Sequence, residues 1–213
     1  MPHICYVFGA GTYYNDDIPS FEKDDFIIAA DGGLSFLKSH DIKPDLILGD
    51  FDSLGFVPEY NDTQVIKLNP VKDDTDLLYA VKQGIERDYK VFYIFGGTGG
   101  RTSHTISNIQ TLSMLSKKGL QGFLFGNNEI FTVIHNSSVC FSDKSKGNVS
   151  VFSLDTVSNG VFESGLKYSL NNYSMNNSFP IGVSNEFTGT ESQIKVLDGT
   201  LLVIFSNSAI IKY

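Results

Sequence analysis

The stretch "PDLILGDFDS", residues 44–53, decides the fold of the first half of the chain. It begins with a short apolar run and ends with two carboxylates, Asp50 and Asp52, which one aromatic residue separates. A short run that is apolar at nearly every position is typical of a parallel strand buried on both faces. We therefore predict a central strand of an α/β sheet with acidic side chains at its carboxyl end.

Similar apolar runs occur on both sides of this strand and alternate with segments of helical period. The predicted strands are 4–10, 26–31, 65–68, 91–97 and 122–126, and the predicted helices are 33–40, 73–89 and 103–119. Strands that alternate with helices favour a parallel sheet with crossover connections. We predict an α/β domain over residues 1–127, with a mainly parallel sheet in a Rossmann-like, three-layer arrangement.

The pattern changes after about residue 130 to short alternating runs, such as "VSVFSL" and "TLLVIF", separated by Asn, Ser and Gly clusters. This pattern is typical of an antiparallel β-sandwich. We predict a second, all-β domain over residues 128–213, with the linker near "FGNNEIF" at 125–131. Composition alone indicates an Asn-rich loop at 169–182 and a turn at "GVSNE", 182–186.

Composition and charge narrow the classes of partner. The chain has 213 residues with 24 acidic against 16 basic side chains, a formal charge of -8, and no basic stripe, so we expect no nucleic-acid partner. Its two cysteines, Cys5 and Cys140, favour neither a disulfide framework nor a zinc site. The N-terminus has no signal-peptide pattern and no run reaches the length of a membrane span, so we expect a cytoplasmic protein without membrane attachment.

Acidic side chains follow several predicted strands. Asp31 follows the second strand, Asp50 and Asp52 the third, and Asp73, Asp74 and Asp76 lie between a strand and a helix. Ligands of open parallel sheets bind outside the carboxyl ends of the strands. Two aspartates one residue apart in extended chain lie about 6.6 Å apart, a span that a hard cation or its waters can bridge.

Each of these acids also has a simpler interpretation. "DFDS" is good turn chemistry, and Asp73 and Asp76 suit the N-terminus of a helix, as its cap and in its first turn. Helix capping does not explain why several carboxylates converge on one crevice, where each raises its neighbour's cost of ionising. Together the acids favour a metal site.

The glycine-rich stretch "FGGTGGRTSHTISN", residues 95–108, lies between a strand and a helix. Its backbone N–H groups and the helix N-terminus suit a phosphate, and Arg101 adds a fork of donors. The stretch matches neither a Walker A loop nor Gly-x-Gly-x-x-Gly, so an ordinary turn is the alternative, and His104 is either a ligand donor or a surface or capping residue. Because carboxylates repel phosphates unless a cation intervenes, the combination indicates Mg²⁺, a nucleoside triphosphate and phosphoryl-type transfer.

In six sequence motifs, the chain resembles the thiamine pyrophosphokinases of bacterial type. Six motifs stand in the order of that family and span both predicted domains. They are "DGG" at 31–33, "PDLILGDFDS" at 44–53, "KDDTDLLYA" at 72–80, "GGRTSH" at 99–104 with Asn108 after it, "GLKYSL" at 165–170 and "GVSNE" at 182–186.

The resemblance implies a homodimer that transfers a pyrophosphoryl group from ATP to the thiamine hydroxyl, giving AMP and thiamine diphosphate. It implies that Asp50, Asp52 and Asp76 hold Mg²⁺ and act in catalysis with Asp73 and Arg101. ATP and its phosphates would be bound by Asp31, Lys72, Gly99, Gly100, Arg101, His104 and Asn108. Thiamine would be bound by Tyr168, Ser184 and Asn185, where two subunits meet.

One residue departs from the family pattern. Ser103 stands before His104 where the family commonly has Asp, and as a good N-cap it can still contact phosphate or water. We expect Ser103→Asp to keep or raise turnover, measured as kcat; a collapse of kcat would show that this turn differs from that of the family. The open alternatives are a pyrophosphokinase for another hydroxymethyl acceptor, such as a pterin, and a nucleotide- or thiamine-binding protein without catalysis.

Overall fold

The computed structural model describes residues 3–14, 18–51, 63–69 and 73–212. The chain divides into two compact units. The first comprises Met1–Asn108 and Leu124–Asn127, and the second comprises Ile109–Phe123 and Asn128–Tyr213. The predicted domain limits of 1–127 and 128–213 stay a prediction.

The first unit is built on parallel strands. Its strands are β1 (Ile4–Phe8), β2 (Phe26–Ala30), β3 (Leu46–Gly49), β4 (Gln64–Lys67) and β5 (Val91–Phe95), and its helices include α1 (Gly33–Ser39) and α2 (Asp76–Glu86). Pairing runs β5–β1–β2–β3–β4, and every one of these pairs is parallel. Leu46–Gly49 is therefore a strand inside the sheet, as predicted.

The helices cover opposite faces of these strands. Leu34 and Leu37 of α1 pack in one apolar cluster with Tyr6 and Phe8 of β1. On α2, a Cβ added at Gly84 would lie 2.6 Å from the Cys5 Sγ, so this helix contacts the other face. Since successive side chains of a strand point to opposite faces, both faces of β1 are buried, which explains its uninterrupted apolar sequence.

The buried stripe of α2 differs from the one that hydrophobicity predicts. The apolar residues of 73–89 predict a stripe of Leu77, Leu78, Val81 and Ile85. Leu78 and Ile85 are only half-buried. The small residues Ala80 and Gly84 let the helix approach the sheet closely. The face that contains them is therefore buried in place of the predicted face. The residues buried at helical spacing are Leu77, Ala80, Val81 and Gly84.

Two further elements connect to the second half of the chain. Helix α3 (Thr102–Lys117) is the longest helix described, and strand β6 (Gln121–Phe125) follows it. Within the described residues, no helix combines the length and the apolar character needed to cross a membrane.

All regular elements within residues 129–212 are strands. They are β7 (Glu129–His135), β8 (Ser138–Phe141), β9 (Asn148–Ser153), β10 (Val157–Ser164), β11 (Leu170–Asn176), β12 (Gly182–Glu186), β13 (Ser192–Asp198), β14 (Thr200–Ser206) and β15 (Ile211–Lys212). Antiparallel pairing gives one set β12–β9–β14–β7 and a second set β11–β10–β13–β8–β15. The expectation of an α/β half followed by an all-β half is confirmed at this level.

Two predictions for this half are wrong. The Asn-rich stretch expected to be a loop contains β11, and "GVSNE", expected to be a turn on composition, is β12. Strand β11 pairs with β10 and buries only Met175 completely. A strand that is buried on one side tolerates polar residues on the other, so composition underestimates it.

Candidate active site

A pocket of about 510 Å³ lies at the carboxyl ends of β1, β2, β3 and β5. The strand ends supply residues 9–11, 30–31, 50 and 96–98, and the helical segments supply residues 74–77, 100–101, 104–105 and 108. The position matches the rule that open parallel sheets bind ligands where strands end. All of these residues belong to the first unit.

Among the described residues, four carboxylates line this pocket: Asp31, Asp50, Asp74 and Asp76. The structure thus brings together four of the acids that the sequence places after strands. Asp31 has a positive φ of 49°, while its N–H donates to the carbonyl oxygen of Leu48 at 2.8 Å. A left-handed residue that ends a strand turns the chain sharply, and Asp tolerates this conformation better than most side chains. The turn thereby places the carboxylate at the sheet edge.

The start of α2 arranges two of these acids, Asp74 and Asp76. The Thr75 side chain caps the helix by accepting a hydrogen bond from the N–H of Leu78 at 3.2 Å, so the prediction of a cap at Asp73 is wrong. Asp76 stands in the first turn, as predicted, where a negative charge is stabilised by the helix dipole. Asp74 pairs with Lys82 at 2.5 Å. Asp73 is exposed and does not line the pocket.

The glycine-rich turn after β5 is held against the turn after β1. A Cβ at Gly11 would lie 2.5 Å from the carbonyl oxygen of Gly96, which only glycine avoids. The carbonyl oxygens of three consecutive residues accept hydrogen bonds: Gly96 from the Gly11 N–H at 2.6 Å, Gly97 from Asn108 Nδ2 at 2.7 Å, and Thr98 from the Thr12 N–H at 2.9 Å. The turn is therefore fixed before any ligand arrives.

The residues that follow this turn form the other wall of the pocket. Arg101 and His104 are exposed side chains that line it, and the His104 N–H donates to the Arg101 carbonyl oxygen at 2.9 Å. Gly100 also lines the pocket, whereas Gly99 does not and adopts φ +77°. Helix α3 begins at Thr102, so Ser103 lies inside the first turn and the interpretation of Ser103 as an N-cap is wrong.

Thr98 is a pocket residue that the sequence argument did not single out. It is 7% exposed and lines the pocket, and its Oγ1 has no hydrogen-bond partner in the part of the chain that the structure describes. A buried polar atom without a partner is costly, and functional sites are where such atoms occur. The only sequence feature that could have indicated Thr98 is its place in the glycine-rich turn "GGTGG". Every residue of that turn shares this feature, so it does not distinguish Thr98.

The donor set fits a hard cation that shares its coordination with a ligand. No three His, Cys, Asp or Glu side chains in the described residues form a metal cluster by themselves. Mg²⁺ usually takes one or two carboxylates and keeps waters or substrate phosphates as its other ligands. Asp50 and Asp76 line one pocket and meet that requirement. The predicted ligand Asp52 and the predicted phosphate contact Lys72 lie outside the described residues.

Two family models match most of the chain. The model described as the catalytic domain of thiamin pyrophosphokinase matches residues 19–124, and the one described as its vitamin B1 binding domain matches residues 138–201. The chain belongs to the thiamine pyrophosphokinase family. The predicted enzyme class is therefore confirmed: the protein is a transferase of the thiamine pyrophosphokinase type.

Individual members of the family are similar over nearly the whole chain. Thiamine pyrophosphokinase of Bacillus subtilis is 28% identical over 187 residues, covering 84% of this chain and 86% of the relative. The crystal structure of the Bacillus subtilis enzyme has a TM-score of 0.83 at 24% identity, with coverage of 95% and 98%. That of a family protein from Enterococcus faecalis has a TM-score of 0.79 at 26% identity, with coverage of 96% and 99%. The two-part fold is therefore that of thiamine pyrophosphokinases.

The three residues predicted to bind thiamine lie within the segment matched by the vitamin B1 binding domain. Tyr168 is 62% exposed, and Ser184 is also exposed, with a positive φ of 58° and its N–H donating to Ser150 Oγ at 3.0 Å. Asn185 is buried at 5% exposure, and its Oδ1 accepts the Tyr168 N–H at 2.9 Å. These residues are therefore close to one another, and their contact with thiamine stays a prediction.

Proposed function

We propose that this chain transfers the pyrophosphoryl group of ATP to the hydroxyl of thiamine, giving thiamine diphosphate and AMP. The observation that carries the proposal is a pocket at the sheet edge that combines carboxylates, a fixed glycine-rich turn, Arg101 and the N-terminus of α3. Carboxylates beside phosphates require a cation, and the remaining donors suit phosphate oxygens. Membership of the family supports the acceptor.

In the proposed reaction, the thiamine hydroxyl oxygen forms a bond to the β-phosphorus. The bond from that phosphorus to the oxygen shared with the α-phosphate breaks, and AMP leaves with the electron pair. The proton of the hydroxyl passes to a carboxylate, for which Asp73 stays the prediction from sequence. Positioning of the two substrates contributes most of the acceleration in reactions of this class.

Each part of the pocket has a role in this proposal. Arg101 offers a guanidinium fork to charge that develops on the transferring group. His104, Gly100 and Asn108 belong to the same wall, and Asn108 acts through the turn by donating to the Gly97 carbonyl oxygen. Gly99, Lys72 and Asp31 complete the predicted ATP site. When bound, Mg²⁺ held by Asp50, Asp52 and Asp76 would neutralise phosphate charge.

Exposed apolar side chains support the proposed homodimer. Tyr168, Phe179, Ile181 and Val183 are all exposed within residues 168–183, and Phe179 is 61% exposed. Apolar side chains that cluster at a surface mark interaction sites in soluble proteins. We propose that this segment meets a second copy of the chain, with thiamine bound beside it. A monomer in sedimentation at the assay concentration would contradict a thiamine pocket shared between subunits.

The proposed activity is tested by its products. Purified protein is incubated with thiamine, ATP and Mg²⁺, and the nucleotide and thiamine products are separated by chromatography. AMP with thiamine diphosphate supports the proposal, whereas ADP with thiamine monophosphate would place the attack at the γ-phosphorus. Replacing thiamine by a hydroxymethyl pterin tests the acceptor, and binding of thiamine without turnover would favour a non-catalytic protein.

A cytoplasmic location stays a prediction from the sequence.

The unpartnered hydroxyl of Thr98 gives a second test of the pocket. We expect Thr98→Val to fold normally, because it removes no hydrogen bond between described residues, and to raise the KM for ATP about tenfold, because an occupant would satisfy the hydroxyl. Steady-state kinetics and thermal unfolding measure both effects. Thr98→Ser keeps the hydroxyl and serves as the control. An unchanged KM in the valine variant would exclude the hydroxyl from substrate binding.

A further inference from the structure

A buried carboxyl group lies beside the predicted thiamine residues. Glu163, on β10, is 2% exposed, and its Oε2 accepts a hydrogen bond from Asn185 Nδ2 at 2.8 Å. Its Oε1 has no partner among residues 3–14, 18–51, 63–69 and 73–212. Glutamate is seldom fully buried, because removing its charge from water is costly. Glu163 lies outside the six family motifs, so the sequence predicts no role for it.

The amide of Asn185 is fully occupied by protein groups. Its Nδ2 donates to Glu163 and to the Tyr168 carbonyl oxygen at 2.6 Å, while its Oδ1 accepts the N–H groups of Tyr168 and Glu186, each at 2.9 Å. A side-chain amide has two N–H donors and two acceptor sites on its oxygen. Asn185 therefore has no remaining hydrogen-bonding capacity for a ligand.

These contacts form a chain from one set of strands to the other. Glu163 lies on β10 of the β11–β10–β13–β8–β15 set, and Asn185 lies on β12, which pairs with β9. Asn185 in turn holds both main-chain groups of Tyr168, as a strand partner would. Ser184 directly precedes Asn185 in β12. The position of Tyr168 relative to Ser184 therefore depends on the Asn185 amide, and Glu163 holds that amide from the neighbouring set of strands.

We infer that Glu163 is a positioning residue for thiamine: it fixes the Asn185 amide, which sets the main chain at Tyr168 beside Ser184. The inference rests on the proposed function, because it requires that Tyr168 and Ser184 contact thiamine. Asn185 then acts by ordering this segment rather than by touching the ligand. Loss of Glu163 leaves a buried Nδ2–H unpaired, and the amide and the Tyr168 segment gain freedom that binding must remove.

Kinetics of three variants test the inference on the full chain. Glu163→Gln keeps an oxygen that can accept from Asn185, and we expect its KM for thiamine to stay within about threefold of the parent. Glu163→Leu removes the acceptor, and we expect the KM for thiamine to rise about tenfold while kcat and the KM for ATP change less than about threefold. Thr132→Val is the matched control, since it removes a buried hydrogen bond, to the Gly122 carbonyl oxygen, without touching Asn185 or Tyr168.

The possible outcomes separate the inference from the proposed function. Parent protein that makes no thiamine diphosphate would overturn the function itself. Active parent protein with an unchanged KM for thiamine in Glu163→Leu would overturn only the positioning role, as would an equal effect in Thr132→Val. If Glu163→Leu does not fold, Glu163→Asp replaces it, because its shorter side chain withdraws the carboxylate from Asn185; an unchanged KM for thiamine there would also overturn the role.

A pH series adds a readout that depends on the carboxyl group alone. Burial raises the pKa of Glu163 above its ordinary value of 4.5, and the hydrogen bond from Asn185 partly opposes the shift. Leu170 of β11, Ile194 of β13 and Asn185 of β12 face it, and none of them titrates in this range. The folded state binds the proton more tightly, so stability falls as the pH rises from 4.5 through the folded pKa. Glu163→Gln should gain stability relative to the parent over that window; a constant difference in Tm would contradict the shift.

Discussion

Arg101→Ala is expected to lower kcat/KM by a factor of about 100 to 1,000, the usual effect of removing one donor that stabilises developing charge. Arg101 lines the pocket at the junction of the glycine-rich turn and α3. The proposed reaction requires its guanidinium beside the transferring phosphoryl group. The measurement is steady-state formation of AMP. A loss of less than tenfold would remove Arg101 from the catalytic assignment.

Two variants show whether this loss is specific. Arg101→Lys keeps the charge but not the bidentate fork, so we expect an intermediate rate. Arg87→Ala removes the other arginine of the chain, which stacks over Phe26 at 5.0 Å and does not line the pocket. We expect Arg87→Ala to affect stability more than kcat/KM. Equal losses at both arginines would indicate a general effect on the fold.

Gly33→Ala is expected to lower the Tm by about 6 to 12 °C, which corresponds to about 3 kcal/mol for a chain of this length. Gly33 begins α1 directly under the end of β1, and an added Cβ would lie 1.9 Å from the Phe8 carbonyl oxygen. That oxygen belongs to the backbone of a buried strand and cannot move aside without disturbing the sheet. Thermal unfolding followed by circular dichroism measures the effect.

Gly100→Ala is the matched control for this steric argument. A Cβ at Gly100 would meet no atom within 4 Å, so we expect its Tm to stay within about 2 °C of the parent. If both substitutions lowered the Tm equally, the close approach at Gly33 would not explain the second glycine of "DGG".

The first half of the chain was predictable because its signals are local. Strands β1, β2, β3 and β5 are short, largely buried apolar runs, which can be identified without knowledge of their partners. The carboxyl ends of those strands meet at one edge, so Asp31, Asp50 and Asp76 were expected together, and the structure places them in one pocket. Family motifs identified thiamine as the substrate, which neither composition nor spacing indicates.

The second half was less predictable because its strands are polar on one side. Strand β11 pairs with β10, and strand β12 pairs with β9. Their sequences contain Asn and Ser residues, as loop sequences do, so they are recognised as strands only by this pairing. Asp73 and Thr75 are both residue types that cap helices, so residue type alone does not identify the cap of α2. The backbone geometry makes Thr75 the cap. In each case the sequence permitted two structures, and contacts distant in the chain selected one.

The sequence by itself determined the α/β and all-β halves, the family and the acidic sheet edge, because hydrophobic period and motif order are properties of adjacent residues. Only the tertiary structure decided that Asp74 faces the pocket, that Thr98 lacks a partner in the described part of the chain, and that Glu163 reaches Asn185. The residues of the last pair are 22 positions apart and lie on different sets of strands. Burial and hydrogen bonding between such residues depend on how strands pack, and no local pattern encodes that packing.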